Sequence, residues 1–264
     1  MTTAPASVKK PFTSSILLWV RDDRPRQQGM DRWKGPHSKI ISATPGLDEY
    51  RQIHLAEDNP GLWPEADGVE TAIPADRRID GIAEVTFKSV LSPLLGRKQT
   101  KLAYLDEVNL FRRTLLYAGP PYSARWYDIA ATGERAGARA LIYVRRKEGV
   151  ATGAFRRIIT DRLAPALAAT GELKELRTQV FMPWRRGQWN TPNVAHDNPA
   201  DRQFHASISL GFTDADARSA FFAGAAVASL SSRLPAFATA VHVYEVEAAL
   251  TYVEGGRVLP HYRK

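Results

Sequence analysis

Leu17-Leu18-Trp19-Val20-Arg21 and Leu141-Ile142-Tyr143-Val144-Arg145 are two versions of one pattern, an apolar run of strand-forming residues closed by an arginine. They stand 124 positions apart (141−17). Gly46 and Gly171, and Phe87 and Phe212, recur 125 positions apart (171−46 and 212−87), so one residue of loop length separates the two spacings. A repeat at this distance marks a duplicated structural unit.

Outward from the first run, the elements read strand, helix, strand, strand, helix, strand. The first half places a strand at 15–21 and a helix at 29–43, which Pro45-Gly46 closes. Strand two spans 47–55, an insertion occupies 56–78, and strand three spans 79–88. A second helical stretch is predicted near 97–112 and a last strand near 122–130. The second half repeats the order at 138–146, 152–169, 172–182, 203–212, 214–230 and 237–253. Both halves carry Trp- and Pro-rich loops between strands two and three, Asn59-Pro60-Gly61-Leu62-Trp63-Pro64 and Pro183-Trp184-Arg185-Arg186-Gly187-Gln188-Trp189. Residues 131–137 read as a linker between an N-terminal unit at 11–130 and a C-terminal unit at 138–264.

The order β-α-β-β-α-β is the ferredoxin-like one, an antiparallel sheet with helices on one face. Alone, such a sheet leaves its other face uncovered. Two copies cover each other, so the expected class is α+β, two tandem ferredoxin-like units whose sheets pack face to face as a fused α/β barrel. With that contact supplied internally, either a monomer or a homodimer is compatible.

The chain has 264 residues, 44% of them hydrophobic, and reads as globular. It has no cysteine, which excludes disulfides and thiolate chemistry. The first ten residues lack the apolar core of a signal peptide, and no apolar run has bilayer-spanning length. A cytoplasmic location without a membrane partner is the expectation. Net charge is +8 and the pI near 9.8, but Lys and Arg are scattered with no block of five, as on a solvated surface. Dinucleotide turn, P-loop, nucleophile elbow, zinc motif and calcium loop are all missing. RNA-recognition domains share this element order, yet they stack bases on strand-three aromatics. Here strand three begins Ile79-Asp80-Gly81-Ile82-Ala83-Glu84, acidic and without aromatics, so no nucleic-acid partner is expected.

The first half resembles the EthD-type branch of the dimeric α/β-barrel superfamily. The resemblance rests on Arg21 at the end of strand one, on a helix carrying Trp33 and His37, and on strand three, opened by Asp80-Gly81-Ile82-Ala83-Glu84 and closed by Phe87-Lys88-Ser89. It implies a cavity beside the sheet for small hydrophobic ligands, often aromatic. The implied chemistry is diverse: cofactor-free oxygenation, isomerisation, cyclisation, decarboxylation, dehydration, and haem-linked reactions in some branches.

Trp33, His37, Ile40, Ile41 and Thr44 share one helical face, which puts His37 against the sheet, as a proton carrier or as a hydrogen-bonded core histidine. Tyr50, Gln52 and His54 alternate on strand two, and Asp80, Ile82, Glu84 and Thr86 on strand three. A common lining of Tyr50, His54 and Glu84 would supply an acid–base pair. His37, His54 and Glu84 are thus the catalytic candidates. Arg21, Trp33, Tyr50, Asp80 and Trp63 are the substrate-binding ones. Trp63, Trp184 and Trp189 are either lids or loop anchors, and His196 and Asp197 belong to a surface loop. Aligned at the observed spacing, His37, Tyr50, His54 and Glu84 face Arg162, Glu175, Gln179 and Ser209. A neutral-range base then exists in the first half only, which predicts one functional pocket, with the second half as its lid and scaffold.

The expected function is a cofactor-independent lyase or isomerase acting on a small aromatic or carbonyl substrate, neutral or anionic, with no metal and no cofactor. A cofactor-free oxygenase or cyclase, and a non-catalytic ligand-binding barrel, are the alternatives. Haem through His37, His54 or His205 has no local signature.

Overall fold

The computed structural model describes residues 5–130 and 134–264. In the first half, β1 (Ser7–Lys10) and β2 (Phe12–Val20) lead into a rod made of α1 (Arg26–Arg32), a π-helical turn at Trp33–His37 and α2 (Ser38–Ser42). Next come β3 (Leu47–Leu55), β4 (Gly81–Phe87), α3 (Arg97–Glu107), β5 (Phe111–Ala118) and β6 (Ala124–Tyr127). The second half has β7 (Ala138–Arg146), then α4 (Thr152–Arg157), a π-turn at Ile158–Leu163 and α5 (Ala164–Ala168). It continues with β8 (Glu175–Val180), β9 (Ala206–Phe212), α6 (Ala215–Ala223), α7 (Ala225–Ser231), β10 (Ala238–Glu254) and β11 (Arg257–Arg263). The duplication extends to detail. Both rods carry the π-turn, and Gly46 and Gly171 both take left-handed φ, +79° and +74°, where the chain turns from rod to strand.

The strands form one antiparallel sheet in the order β1-β6-β8-β9-β7-β10-β3-β4-β2-β5, with β11 on β10. The long strand β10 pairs with β7 along Ala238–Val246 and then with β3 from Val246 onward. In the first half, β5 pairs with β2 and, after a turn at 119–123, β6 pairs with β8. The last strand of each half therefore crosses to strand two of the other, and the sheet closes on itself. Ser15 Oγ meets the Tyr143 hydroxyl at 2.5 Å, and Arg51 reaches Glu175 at 2.6 Å, although neither pair lies on neighbouring strands. These contacts cross the barrel lumen. The α+β class and the fused ferredoxin-like barrel stand as expected.

Three local readings are corrected. The last strand expected at 122–130 is present as β6, but β5 at 111–118 precedes it where helix was expected, and α3 stops at Glu107 rather than 112. Pairing with β2 along Phe111–Ala118 overrides the helical spacing carried on by Leu102, Leu105 and Val108. The chain also ends in β11, a hairpin strand turned at Gly255-Gly256. Part of the expected linker, 131–133, lies outside the described residues.

Register corrects the alignment of the halves. Arg51 pairs with Glu84, whereas Arg177 pairs with Ser209, so β3 and β8 correspond at a spacing of 126 (177−51), while β4 and β9 keep 125 (209−84). Tyr50 thus matches Leu176, not Glu175, and His54 matches Val180, not Gln179. A slip of one residue on a strand moves every side chain to the opposite face.

Candidate functional site

Strand register decides which candidates can meet. Tyr50 pairs with Val85, Gln52 with Ala83 and His54 with Gly81, on the face toward the helices. Glu84 pairs with Arg51 on the other face, which looks into the lumen. The common lining of Tyr50, His54 and Glu84 is therefore corrected, because Glu84 is separated from both by the sheet itself. In the lumen Arg51 bridges Glu84 (3.3 Å) and Glu175 (2.6 Å), Arg139 and Arg177 hold Glu175 at 2.9 and 3.1 Å, and Arg177 also binds Glu49. Three carboxylates and three guanidiniums make a neutral network. Burial pushes the Glu84 carboxyl up against the pull of Arg51 and Arg177. At Glu175 burial acts in the same sense, but Arg51, Arg177 and Arg139 prevail and hold it well below the usual range. Above this network the lumen is filled by Leu17, Trp19, Leu141, Tyr143 and Phe181, so it is a packed core.

On the helix face, Trp33 is buried over Gly81, where an added Cβ would stand 2.3 Å from the indole. His54 stacks on Trp33, with ring centroids 4.6 Å apart, and bonds Gln52 at 3.1 Å. Gln52 donates in turn to the Trp33 carbonyl and the Tyr50 hydroxyl, each at 2.8 Å. Burial, aided by Lys34 and Arg26, lowers the His54 pKa to about 4, and burial raises that of Tyr50. His37 is buried edge-on to Phe111, its Nδ1 3.0 Å from Asp106 Oδ2, and Arg32 grips the same carboxylate. The His37 bond holds Asp106 below the usual range, with Arg32 adding to it against burial. His54 thus stacks on Trp33, while His37 and Trp33 each meet Phe111 edge-on.

The remaining candidates scatter. Arg21 is paired with Asp23 at the surface and donates to the Val108 carbonyl. Asp80 binds Arg26 at 2.6 Å and accepts from the Val20 amide, tying α1 to the strand ends. Trp63 is not a lid over the first half. It packs on Phe222 in the second-half core and donates to Ser231. Trp184 packs on the lumen core. His196, read as a surface residue, is buried, its nitrogens 3.0 and 2.9 Å from the Thr114 and Thr191 carbonyls.

A cavity of about 360 Å³ lies between the first-half sheet and its helices. Phe12, Ile16, Val85, Phe87 and Leu116 form its floor, Ile41 and Thr44 one wall, and Gln99, Thr100 and Tyr104 of α3 the other. Trp189, from the second-half Trp loop, joins the wall. Its ring stands edge-on to Tyr104 at 5.0 Å, and its Nε1 donates to Glu107, which Thr191 also binds. Burial raises the Glu107 pKa, opposed by His37 and by those two donors. In the second half Phe155, Phe212, Phe221, Phe222 and Val227 pack over the sheet, and a smaller cavity of about 210 Å³ remains between its rod and helices, lined by Ile158, Arg162, Ala166, Leu230 and Phe237. Where α6 and α7 bring aromatic and branched side chains, α3 brings Gln99, Thr100 and Ala103, and that difference opens the first-half cavity. Of Trp63, Trp184 and Trp189, only Trp189 touches it. None of His37, His54 and His205 lines it, so none is placed to ligate a haem there. Among the described residues no group of three His, Asp or Glu is placed to hold a metal ion, and no helix is long and apolar enough to cross a membrane.

No protein-family model matches the chain, and no curated protein matches it in sequence. Solved structures do match. A candidate monooxygenase from Lactobacillus acidophilus NCFM superposes with a TM-score of 0.54 at 10% identity, covering 95% of this chain and 100% of its own. An anthrone oxidase-like protein gives 0.57 at 11% identity, over 93% of this chain and 96% of its own. A second candidate monooxygenase, from Fusobacterium nucleatum subsp. nucleatum, gives 0.51 at 8% identity, over 93% and 99%. The likeness is one of fold. It shows a ferredoxin-like α+β fold and does not single out the EthD-type branch.

Proposed function

We propose that the first-half cavity is the substrate site of a cofactor-free enzyme of the EthD-type barrel kind, acting on a small aromatic or carbonyl compound by oxygenase-like chemistry. The composition of the cavity wall carries this reading. Tyr104 is the titratable residue among its lining, and the rest is apolar or neutral polar. A substrate that gives its own electrons to dioxygen asks a site only to orient it, exclude water and hydrogen-bond one oxygen. Burial raises the Tyr104 pKa, which keeps the phenol protonated. Its oxygen accepts from the Asn190 amide at 3.1 Å, leaving its proton for a ligand oxygen. The anthrone oxidase-like neighbour suggests a first substrate class by analogy of fold. In an anthrone the ring methylene would become a carbonyl, keeping one atom of dioxygen while the other leaves as water with the two hydrogens.

The histidine-driven lyase or isomerase is the second reading, favoured by the His37–Asp106 pair, one helical turn from Ile41 on the cavity wall. Oxygen uptake with anthrone, in EDTA-treated protein, separates the two. Under the oxygenase reading Thr100→Phe, which fills the cavity, lowers turnover at least tenfold, and His37→Gln keeps most of it. Loss of turnover in His37→Gln, with the fold intact, would hand the site to the histidine.

A further inference from the structure

We infer that the outer lip of the cavity docks on an anionic lipid bilayer. The segment 88–105 runs through a 3₁₀ turn at Ser92–Gly96 into α3, and it has two sides. Pro93, Gly96, Gln99, Thr100 and Tyr104 line the cavity. The other side leaves Leu91, Leu94, Leu95, Leu102 and Leu105 between 41% and 71% exposed, one of the principal groups of large apolar side chains in solvent. On α3, Lys98, Leu102 and Leu105 share one stripe by i, i+4, i+7 spacing. The exposed Lys88, Arg97, Lys98 and Lys101 lie in the same segment, which contains no Asp or Glu.

That chemistry selects the occupant. A second copy docked face to face would bring four like charges against four with no carboxylate from the segment to pair them. An anionic bilayer answers both features, since leucines enter the acyl boundary while lysines and arginines meet headgroups. The cavity wall then borders the membrane surface, the place where an apolar small molecule concentrates. Surface docking needs neither a spanning run nor a block of basic residues, the two grounds on which no membrane partner was expected.

The test is co-sedimentation of the full chain with vesicles of phosphatidylglycerol and phosphatidylcholine, against phosphatidylcholine alone. It needs no substrate, so its failure is distinct from failure of the proposed reaction. Binding to the mixed vesicles is expected, with little to phosphatidylcholine. A net charge of +8 alone attracts the chain to anionic surfaces, so the deciding variant keeps the charge. Leu91→Ser/Leu94→Ser/Leu95→Ser should weaken binding at least tenfold. Each basic residue near such a surface is worth roughly fivefold, so Arg97→Gln/Lys98→Gln/Lys101→Gln should weaken it about a hundredfold. Arg157→Gln/Arg162→Gln/Arg233→Gln, an exposed triple on the second-half helices and their flank, should have little effect. Equal losses in the two charge triples, unchanged binding in the leucine variant, or no binding by the parent chain would each overturn the inference. So would a solution dimer that the leucine variant dissolves, with no vesicle binding in either protein.

Discussion

His54 shows how one residue's surroundings decide its chemistry. Between Trp33 and Gln52 its pKa falls to about 4 from an ordinary 6.5. Above pH 6.5 the ring is neutral in folded and unfolded chain alike, and its burial is without charge cost. Below that the unfolded state takes up a proton that the folded state refuses, so stability falls as pH drops from 6.5 toward 4. The loss is roughly 2 kcal/mol at pH 5 for one such histidine. His205 and His242, both held near 4 chiefly by burial, act with the same sign. Urea denaturation at pH 7.5 and pH 5 should therefore show a steep loss, and His54→Phe should shrink the difference by about 2 kcal/mol. An unchanged difference would mean that the His54 ring is not buried neutral. His37, by contrast, is committed to Asp106, and its fate under His37→Gln turns on whether that pair serves the core or the cavity.

At the scale of elements, the Trp loop of the second half matters most to the site. Glu107, at the end of α3, accepts from Trp189 and Thr191 and so pins that loop across the first-half cavity. Glu107→Leu would leave both donors without their partner, at a cost of about 1–3 kcal/mol. The loop should loosen, and trypsin cleavage at the exposed Arg185 and Arg186 should accelerate severalfold at native pH. Cleavage at the parental rate would show that the loop is held by something else. The same element difference explains why the two halves diverge, since α6 packs Phe221 and Phe222 onto its sheet whereas α3 leaves a cavity over its own.

At the scale of the whole molecule, the barrel is held by what crosses it. β10 and β6 each pair with a strand of the other half, and Arg51 spans the lumen to Glu175. Arg51→Met removes the guanidinium between two buried carboxylates, and loss of one partner from such a pair typically costs 3–5 kcal/mol. The folded pKa of Glu175 is depressed, so its contribution is present above the unfolded carboxylate value and is lost as pH falls through the folded one. The deficit of Arg51→Met relative to the parent chain should therefore be full at neutral pH and narrow at strongly acid pH. A deficit under 1 kcal/mol at pH 7, by denaturant titration, would mean that the network rearranges around the loss.

The sequence by itself determined the duplication and the class of fold. Apolar runs, turn glycines and strand-forming residues are local properties that repeat visibly, as Gly46 and Gly171 do. It also pointed to His37 and Trp33 on the sheet-facing side of one rod. It could not assign Glu84 to the lumen and His54 to the helices. That choice depends on which strand faces cover which, and a register difference of one residue reverses it. Nor could it find the cavity, because Phe12, Val85, Thr100 and Trp189 come from four distant segments. A cavity is the volume that packing leaves unfilled, a property of the assembled chain rather than of any stretch of it.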